Sequence, residues 1–286
     1  MAEQVSELRL VAAQPASSGR PEAVYGVRRQ SKSRENAILG AVGVLVFLAL
    51  WEWAGTSVQN GKLFFSAPSL VTGAFLRLAA DSSFWNDVWV SSQEFAVGYV
   101  ASIAVGVPLG IAMGWYRRVN ALLDPLVSAF YAMPRVALVP LLIIWFGIGM
   151  NSKIALVFLG AVFPILISTL AGIRNLDESL IRLARSFGAR DRQIFVTVAL
   201  PGSLPFMLTG LKLAIGRALI GVIVGELIAA QAGIGYMMAK AGATFQTDRV
   251  MVGVMLICAA GMVSLEVLRR IEVRFDSWRP QRERGA

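Results

Sequence analysis

The stretch RLARSFGARDRQIFVTVALP, residues 182–201, is charged and mostly basic, carries a glycine near its middle and ends in a proline. It lies between two long apolar blocks, in a chain with 56% hydrophobic residues and a mean hydropathy of +0.63. Such a segment is too polar for the hydrocarbon core of a bilayer, where each charged side chain is costly. The arrangement of the apolar blocks around it therefore decides how the chain folds.

Six apolar blocks predict six membrane spans, because about 20 apolar residues cover the ~30 Å of bilayer hydrocarbon. The blocks are approximately residues 37–54, 95–116, 122–147, 154–173, 204–230 and 250–268. A buried helix of a soluble protein would show polar residues at helical spacing, and ILGAVGVLVFLAL (residues 38–50) shows none. We therefore predict an all-α membrane protein, with a six-span domain at residues 37–268 between tails at residues 1–36 and 269–286.

The net charge of +9 follows the pattern of a membrane protein and does not indicate a nucleic-acid partner. With the N-terminus in the cytoplasm, most of the 27 Lys and Arg residues fall on the cytoplasmic side, in residues 1–36, 117–118, 174–192 and 269–284. The other side keeps few basic residues, which are Lys62, Arg77, Lys153, Lys240 and Arg249. Both termini and residues 182–201 are thus predicted in the cytoplasm.

Composition also bounds the chemistry. The chain has no histidine and a single cysteine, Cys258, which excludes an intrachain disulfide and the common zinc and haem sites. An intramembrane enzyme would need a catalytic pair such as two deep aspartates or serine with histidine, and we find neither. A secondary carrier would need carboxylates in its spans, where we find only Glu52, Glu226 and Glu266 near span ends. Composition alone does not exclude a passive channel.

Small residues recur at every fourth position of the second block. They are Gly98, Ser102, Gly106, Gly110 and Gly114. This spacing gives one smooth helix face, which lets another helix backbone approach closely. The face indicates either static packing or a sliding contact against a neighbouring helix.

The third block is interrupted by Pro125, Pro134 and Pro140, with Arg135 between two of them. Each proline removes a backbone donor and tends to kink a helix. Broken helices at membrane depth are tolerated where they line a cavity, and transporters build pathways from them. Arg135 is therefore a candidate pathway residue.

Arg217 and Glu226 are further pathway candidates in the fifth block. Arg217 lies about 20 Å from Leu204 at the rise of a helix, so it is expected to face the bundle, a cavity or a partner. Glu226 projects from the opposite face of the same helix, so the two side chains cannot pair with each other. An arginine on the pathway is compatible with a small anion as solute.

Residues 175–205 predict two short helices joined at Gly188, a residue type that favours a helix end. Asn175 and Glu178 have capping-box spacing at the start of the first helix, and Asp191 is placed to cap the second. Pro201 is predicted to end the second helix and Pro205 to begin the fifth span. The apolar face of the first helix consists of Leu180, Ala184 and Phe187. A cytoplasmic element with an apolar ridge and a basic rim predicts contact with another protein.

The spacing of this segment resembles the cytoplasmic EAA loop of ABC-importer permeases, which reads E-A-A, three residues, G, nine residues, I, one residue, L-P. The matching positions are Ala184 for the last alanine, Gly188 for the glycine, Val198 for the isoleucine, and Leu200 and Pro201 for the ending. The sequence departs from the pattern at Arg182, in place of the glutamate, and at Leu183, in place of the first alanine. The resemblance therefore implies no role specific to that acid at position 182.

Three other segments resemble the nitrate/sulfonate/taurine branch of these permeases. They are FFSAPSLV (residues 64–71), PRVALVPLLIIWFGIGMNSK (residues 134–153) and GRALIGVIVGELIAAQAGIGYMM (residues 216–238). The resemblance covers about residues 63–268. It implies a type I ABC importer permease fold, in which six spans with kinked helices carry a cytoplasmic two-helix coupling loop at residues 174–201.

In that family the coupling loop sits in a cleft of a cytoplasmic ATPase. The resemblance implies this role for Leu180, Arg182, Ala184, Phe187, Gly188, Val198, Leu200 and Pro201. It further implies a permease homodimer, two ATPase subunits that hold ATP-Mg, and an extracytoplasmic solute-binding protein, in the lipid of a bacterial cytoplasmic membrane. The solute implied is a small anion such as an aliphatic sulfonate, taurine or nitrate, with bicarbonate or a vitamin precursor as alternatives.

The sequence independently indicates a transport subunit without its own catalysis. It contains no G-x-x-x-x-G-K phosphate loop, and GIGMNSK at residues 147–153 has the wrong spacing. We therefore expect no ATP hydrolysis and no cofactor in this chain. ATP-dependence of uptake separates this hypothesis from an ATP-independent secondary carrier or channel.

Overall fold

The computed structural model of the chain describes residues 28–58 and 61–275, and over these residues all regular secondary structure is helical. The helices are α1 (Arg28–Ser57), α2 (Gly61–Phe64), α3 (Pro68–Ala79), α4 (Ser82–Trp115), α5 (Arg117–Ala132), α6 (Val139–Phe146), α7 (Met150–Arg174), α8 (Glu178–Ser186), α9 (Asp191–Ile194), α10 (Leu200–Ala229), α11 (Ile234–Ala243) and α12 (Thr247–Phe275). The predicted tails lie largely outside the described residues, and their inner parts, residues 28–36 and 269–275, belong to α1 and α12.

The residues group by their contacts into two units, Met1–Trp51 and Glu52–Ala286. The described part of the first unit is the beginning of α1. The second unit contains α2 to α12, and every site below lies within it.

Five helices of the described residues are long and apolar enough to cross a membrane. They are Asn36–Ser57, Ser82–Trp115, Met150–Arg174, Asp191–Ala229 and Thr247–Arg274. A sixth candidate is the pair Arg117–Ala132 and Arg135–Phe146, whose halves are bent by 91° against each other. The prediction of an all-α membrane fold with a broken third span is confirmed.

The break in the third span lies at Pro134. Met133 before it has extended backbone angles (φ −70°, ψ 133°), which is the conformation that a following proline favours. Pro140 lies in the first turn of α6, where a missing N–H costs no helical bond, whereas Pro125 stays inside α5. The bend places Arg135 at the start of a short 3-10 turn that leads into α6.

The centre of the second unit is α7, which packs along α4 and along α10. The small-residue stripe of α4 faces α7, since a Cβ added at Gly98, Gly110 or Gly114 would lie 2.6 Å from an α7 atom. Two helices in lipid gain nothing from excluding water, so backbone approach and dense packing hold them together. The close contact that the stripe predicts is thereby confirmed.

The contact between α7 and α10 is equally close. A Cβ at Gly160 of α7 would lie 2.9 Å from the Arg217 carbonyl oxygen, and one at Gly210 of α10 would lie 2.6 Å from Ser168 Cβ. The buried apolar cluster of this contact includes Val157, Ala161, Ile165, Ala214, Ala218 and Val222. This seam fixes where the charged residues of α7 and α10 lie.

Candidate functional site

The short helix α8 starts with a hydrogen-bonded cap. The Asp177 carboxylate accepts a bond from the Ser179 N–H at 2.8 Å, and the Ser179 hydroxyl and N–H together hold the pKa of Asp177 below its usual value. The predicted capping box of Asn175 and Glu178 is wrong, because Asn175 instead donates from Nδ2 to the Ala171 carbonyl at the end of α7. Asp177 keeps a negative charge where the helix dipole favours one.

An apolar ridge on α8 is exposed. Leu180 is 51%, Leu183 54% and Phe187 83% accessible, and Ala184 lies half-buried on the same face. Leu183 was predicted only as a departure from the motif, and its place in the ridge was missed, although its spacing of three residues from Leu180 is a helical signal. Gly188, as predicted, ends the helix with φ +78°, a conformation that other residues rarely adopt.

Charged side chains surround this ridge. Arg182 pairs with Glu178 at 3.3 Å and Arg185 with Asp191 at 3.5 Å, all of them exposed. Exposed pairs of this kind contribute about 0–1 kcal/mol, so they leave the charges free for a partner. The prediction that Asp191 caps α9 is wrong, because Arg190 is the N-cap residue and Asp191 is the first residue of the helix. The Gln193 side chain accepts a hydrogen bond from the Arg190 N–H at 2.8 Å.

The second helix predicted for residues 175–205 and the fifth span are one continuous helix, Asp191–Ala229. The prediction that Pro201 ends the one and Pro205 begins the other is therefore wrong. A π turn at Phe195–Ala199, which contains Val198, precedes Pro201, and Leu200 donates to the Phe195 carbonyl five residues back. The widened turn accommodates a proline that cannot donate, so the helix continues.

Arg135 and Arg217 line one cavity of about 310 Å³ between the broken third span and α10. Arg135 lies over the rings of Tyr131 and Phe163, at 5.6 and 5.8 Å from their centroids. Its Nε is buried without a hydrogen-bond partner in the described structure. The structure thus brings two of the three predicted pathway residues together.

Glu226, the third, lies elsewhere, in a buried cluster at the end of the bundle near α11. Its carboxylate accepts from the Ser91 hydroxyl at 2.5 Å and from the Gly235 N–H at 2.6 Å. Beside it, Lys153 of α7 forms an ion pair of 2.7 Å with Glu94 of α4, and all three charged side chains are buried. We call Glu94, Lys153 and Glu226 the buried charge cluster.

Glu94 is a buried carboxylate that the hydropathy pattern did not reveal, because the second apolar block starts at Phe95. The signal was present, since Glu94 lies four residues before Gly98 and so continues the stripe that faces α7. The cluster's carboxylates are held by Lys153, by the Ser91 hydroxyl and by the Gly235 N–H. Donors of this kind tie helices together.

Residues 106–274 match the protein family described as binding-protein-dependent transport system inner membrane component. The matched region contains the bent third span, α7, the exposed helix α8 and the continuous helix that follows it. The chain belongs to this family. It is a permease of the ABC importer type, and several of its relatives are named for taurine or aliphatic sulfonate transport.

Two curated permeases illustrate the relationship. The taurine transport system permease protein TauC of Escherichia coli (strain K12) is 34% identical over 83% of this chain and 89% of its own length. The putative aliphatic sulfonates transport permease protein SsuC of the same organism is 36% identical over 80% of this chain and 88% of its own length.

A solved structure supports the fold. A chain of the MetNI methionine ABC transporter, solved in inward-facing conformations, superposes with a TM-score of 0.52 and 20% identity. The match covers 65% of this permease and 94% of that chain. The fold of the permease is therefore that of a type I ABC importer subunit, as the resemblance implied.

Proposed function

We propose that this permease is the membrane subunit of an ATP-driven importer of a small organic anion, a taurine-like or aliphatic sulfonate. Two copies form the pathway, two cytoplasmic ATPases hold ATP-Mg, and an extracytoplasmic binding protein delivers the solute. The complex lies in a bacterial cytoplasmic membrane with both termini and α8 on the cytoplasmic side. The sulfonate and taurine relatives and the charge distribution along the chain support this assignment.

One observation carries the proposal: the exposed ridge of α8 is joined through Gly188 to a helix that continues into the membrane. A monomeric surface seldom leaves a large aromatic side chain such as Phe187, 83% accessible, at the tip of a charged helix without a partner. An apolar ridge within a basic rim suits a partner cleft with an apolar floor and acidic edges.

Force applied at this ridge would reach the pathway through the backbone. Because Asp191–Ala229 is unbroken, movement of the α8–α9 hairpin tilts α10 as a lever. Arg217 lies on α10 at the cavity, so the tilt changes the width of the cavity opposite Arg135. ATP binding and hydrolysis in the partner would thereby alternate access to the cavity.

The proposal is tested with the permease, its cognate ATPase and its binding protein reconstituted in proteoliposomes. We expect uptake of labelled taurine or methanesulfonate that requires ATP on the ATPase side. Phe187→Asp is expected to abolish ATPase co-purification and uptake while the permease still inserts and unfolds at the wild-type temperature, because the side chain lies on an exposed ridge.

Phe245→Asp is the matched control. Phe245 is 74% accessible but lies between α11 and α12, at the opposite end of the bundle, so this variant should retain the ATPase. Normal co-purification and uptake with Phe187→Asp would refute the docking role. Uptake driven by an ion gradient without any ATPase would identify a secondary carrier instead.

A further inference from the structure

The cavity between the broken third span and α10 has an unusual electrostatic character. Its lining carries two guanidinium groups, from Arg135 and Arg217, and none of the described lining residues is acidic. Among the carboxylates whose side chains the structure describes, none forms an ion pair with either arginine. The cavity therefore holds two positive charges that the described chain does not neutralise.

Two such charges are expensive at membrane depth. A single arginine in the middle of a span costs about 2.5–3.5 kcal/mol on insertion scales, and like charges in one cavity add repulsion. The rings of Tyr131 and Phe163 stabilise the Arg135 cation only in part, by about 0.5–2 kcal/mol. A fold that keeps both arginines leaves a place for negative charge from outside the chain.

Local backbone features place both arginines on the wall of the same cavity. Pro134 fixes the bend that starts the Arg135 turn, and the contact of Gly160 with the Arg217 carbonyl sets α10 against α7. The Arg135 Nε is buried and has no partner in the described structure, so a donor remains unsatisfied at the cavity wall. A volume of about 310 Å³ is at the lower end of small-molecule sites.

We propose that Arg135 and Arg217 form an anion subsite within the permease itself, which takes the oxyanion head group of a sulfonate-type solute. This inference rests on the proposed function and deepens it, since it assigns part of the solute selectivity to the membrane subunit. Guanidinium groups suit the site because their planar donors match the oxygens of an oxyanion. A neutral solute of equal size would leave both cations unpaired and is excluded at this point.

The experiment measures binding without transport. The permease–ATPase complex in nanodiscs, without binding protein and without nucleotide, is titrated with ³⁵S-methanesulfonate by equilibrium dialysis. We expect saturable binding that unlabelled methanesulfonate displaces and that dimethyl sulfone, its neutral analogue, does not. Arg135→Gln and Arg217→Gln should each weaken binding by about 10- to 100-fold, the loss expected for a charged hydrogen-bond partner.

Arg77→Gln is the matched control, because Arg77 is exposed and pairs with Asp248 outside the cavity. It should bind as the wild type does. Arg217→Lys keeps the charge but not the fork of donors, and it should fall between wild type and Arg217→Gln. Thermal unfolding of each variant verifies that a lost site is not a lost fold.

The outcomes separate this inference from the function on which it rests. Wild-type binding retained in both glutamine variants, or equal competition by dimethyl sulfone, overturns the subsite. Absence of saturable binding in a complex that still imports the anion with ATP also overturns it and leaves the function standing. Arginine-dependent binding in a complex that shows no ATP-driven uptake has the opposite meaning, because the subsite stands and the transport assignment fails.

Discussion

The buried charge cluster and the arginine cavity lie along the same pair of helices, α7 and α10, yet they treat charge in opposite ways. In the cluster, Lys153 pairs with Glu94 at 2.7 Å, and hydrogen-bond donors hold Glu226. In the cavity, Arg135 and Arg217 have no acidic partner among the described residues. Charged side chains that are paired within the chain stabilise the packing of its helices. Charged side chains without a partner in the chain select the solute that enters the cavity.

The cluster also explains the shape of the loop between α10 and α11. The Ser91 hydroxyl donates to Glu226 and accepts from the Ile234 N–H at 2.8 Å, so one serine joins three helices. Gly233 has φ +121°, and a Cβ there would lie 2.3 Å from Glu226 Oε1. The turn thus depends on a glycine beside a fixed carboxylate, which fits a structural element and not a solute path.

The largest expected effect comes from breaking the cluster. Lys153→Met leaves Glu94 buried without its cation and should destabilise the permease by about 3–5 kcal/mol. The measurement is unfolding of the purified permease in an SDS titration. Lys240→Met removes an exposed lysine and should change little.

A double variant sharpens the first prediction. Lys153→Met with Glu94→Met replaces the ion pair by apolar side chains, which is often neutral, so most of the lost stability should return. If the double variant were as unstable as Lys153→Met alone, the pair would not be the source of the effect. If methanesulfonate binding in the arginine cavity disappeared although stability returned, the two regions would not be independent.

An intermediate effect is expected at the seam that carries both regions. Gly210 lies on α10 outside the cluster and the cavity, and its added Cβ would meet Ser168 Cβ at 2.6 Å and the Pro164 carbonyl at 3.1 Å. Gly210→Ala should therefore cost about 1–3 kcal/mol of stability through overpacking, measured in the same SDS titration.

Gly216→Ala on the same helix is the control. No described residue outside the helix's own nearby backbone lies within 4 Å of its added Cβ. Alanine also favours the helix by about 1 kcal/mol over glycine, so this variant should be neutral or slightly more stable. Equal stability of the two variants would show that α7 and α10 are not in close contact at Gly210.

The two regions also differ in how far the sequence predicts them. Arg135 and Arg217 were recognisable because a charge next to prolines, or deep in an apolar block, is conspicuous in one dimension. That the two arginines meet in one cavity could not be predicted from the sequence, since it depends on the 91° bend of the third span. The spans were predictable because lipid imposes an apolar pattern on each helix separately, and this pattern can be read along the sequence.

The buried charge cluster was hidden because its members are distant in sequence and Glu94 lies at the polar end of a block. Hydropathy placed the start of the second span at Phe95, whereas the helix itself starts at Ser82 behind the Asp81 cap. Pro201 led to the opposite error, a helix end predicted where the helix continues. A proline usually marks a helix end, and a π turn can only be recognised from backbone geometry.

The smallest expected effect, and the most discriminating, comes from giving the cavity a charge of its own. Ile220 lines the cavity three residues from Arg217, so the carboxylate of Ile220→Glu would lie within reach of that guanidinium. A neutralised Arg217 should bind methanesulfonate about 10-fold more weakly, or about 1.4 kcal/mol, while the stability of the permease stays level or rises. Ile220→Gln, of the same size but neutral, should lose little binding in the same dialysis measurement. Weaker binding in Ile220→Glu than in Ile220→Gln would show that a carboxylate within the chain balances the charge of Arg217, as carboxylates do in the buried charge cluster. Equal binding in both variants would mean that the unbalanced charge of Arg217 does not hold the anion.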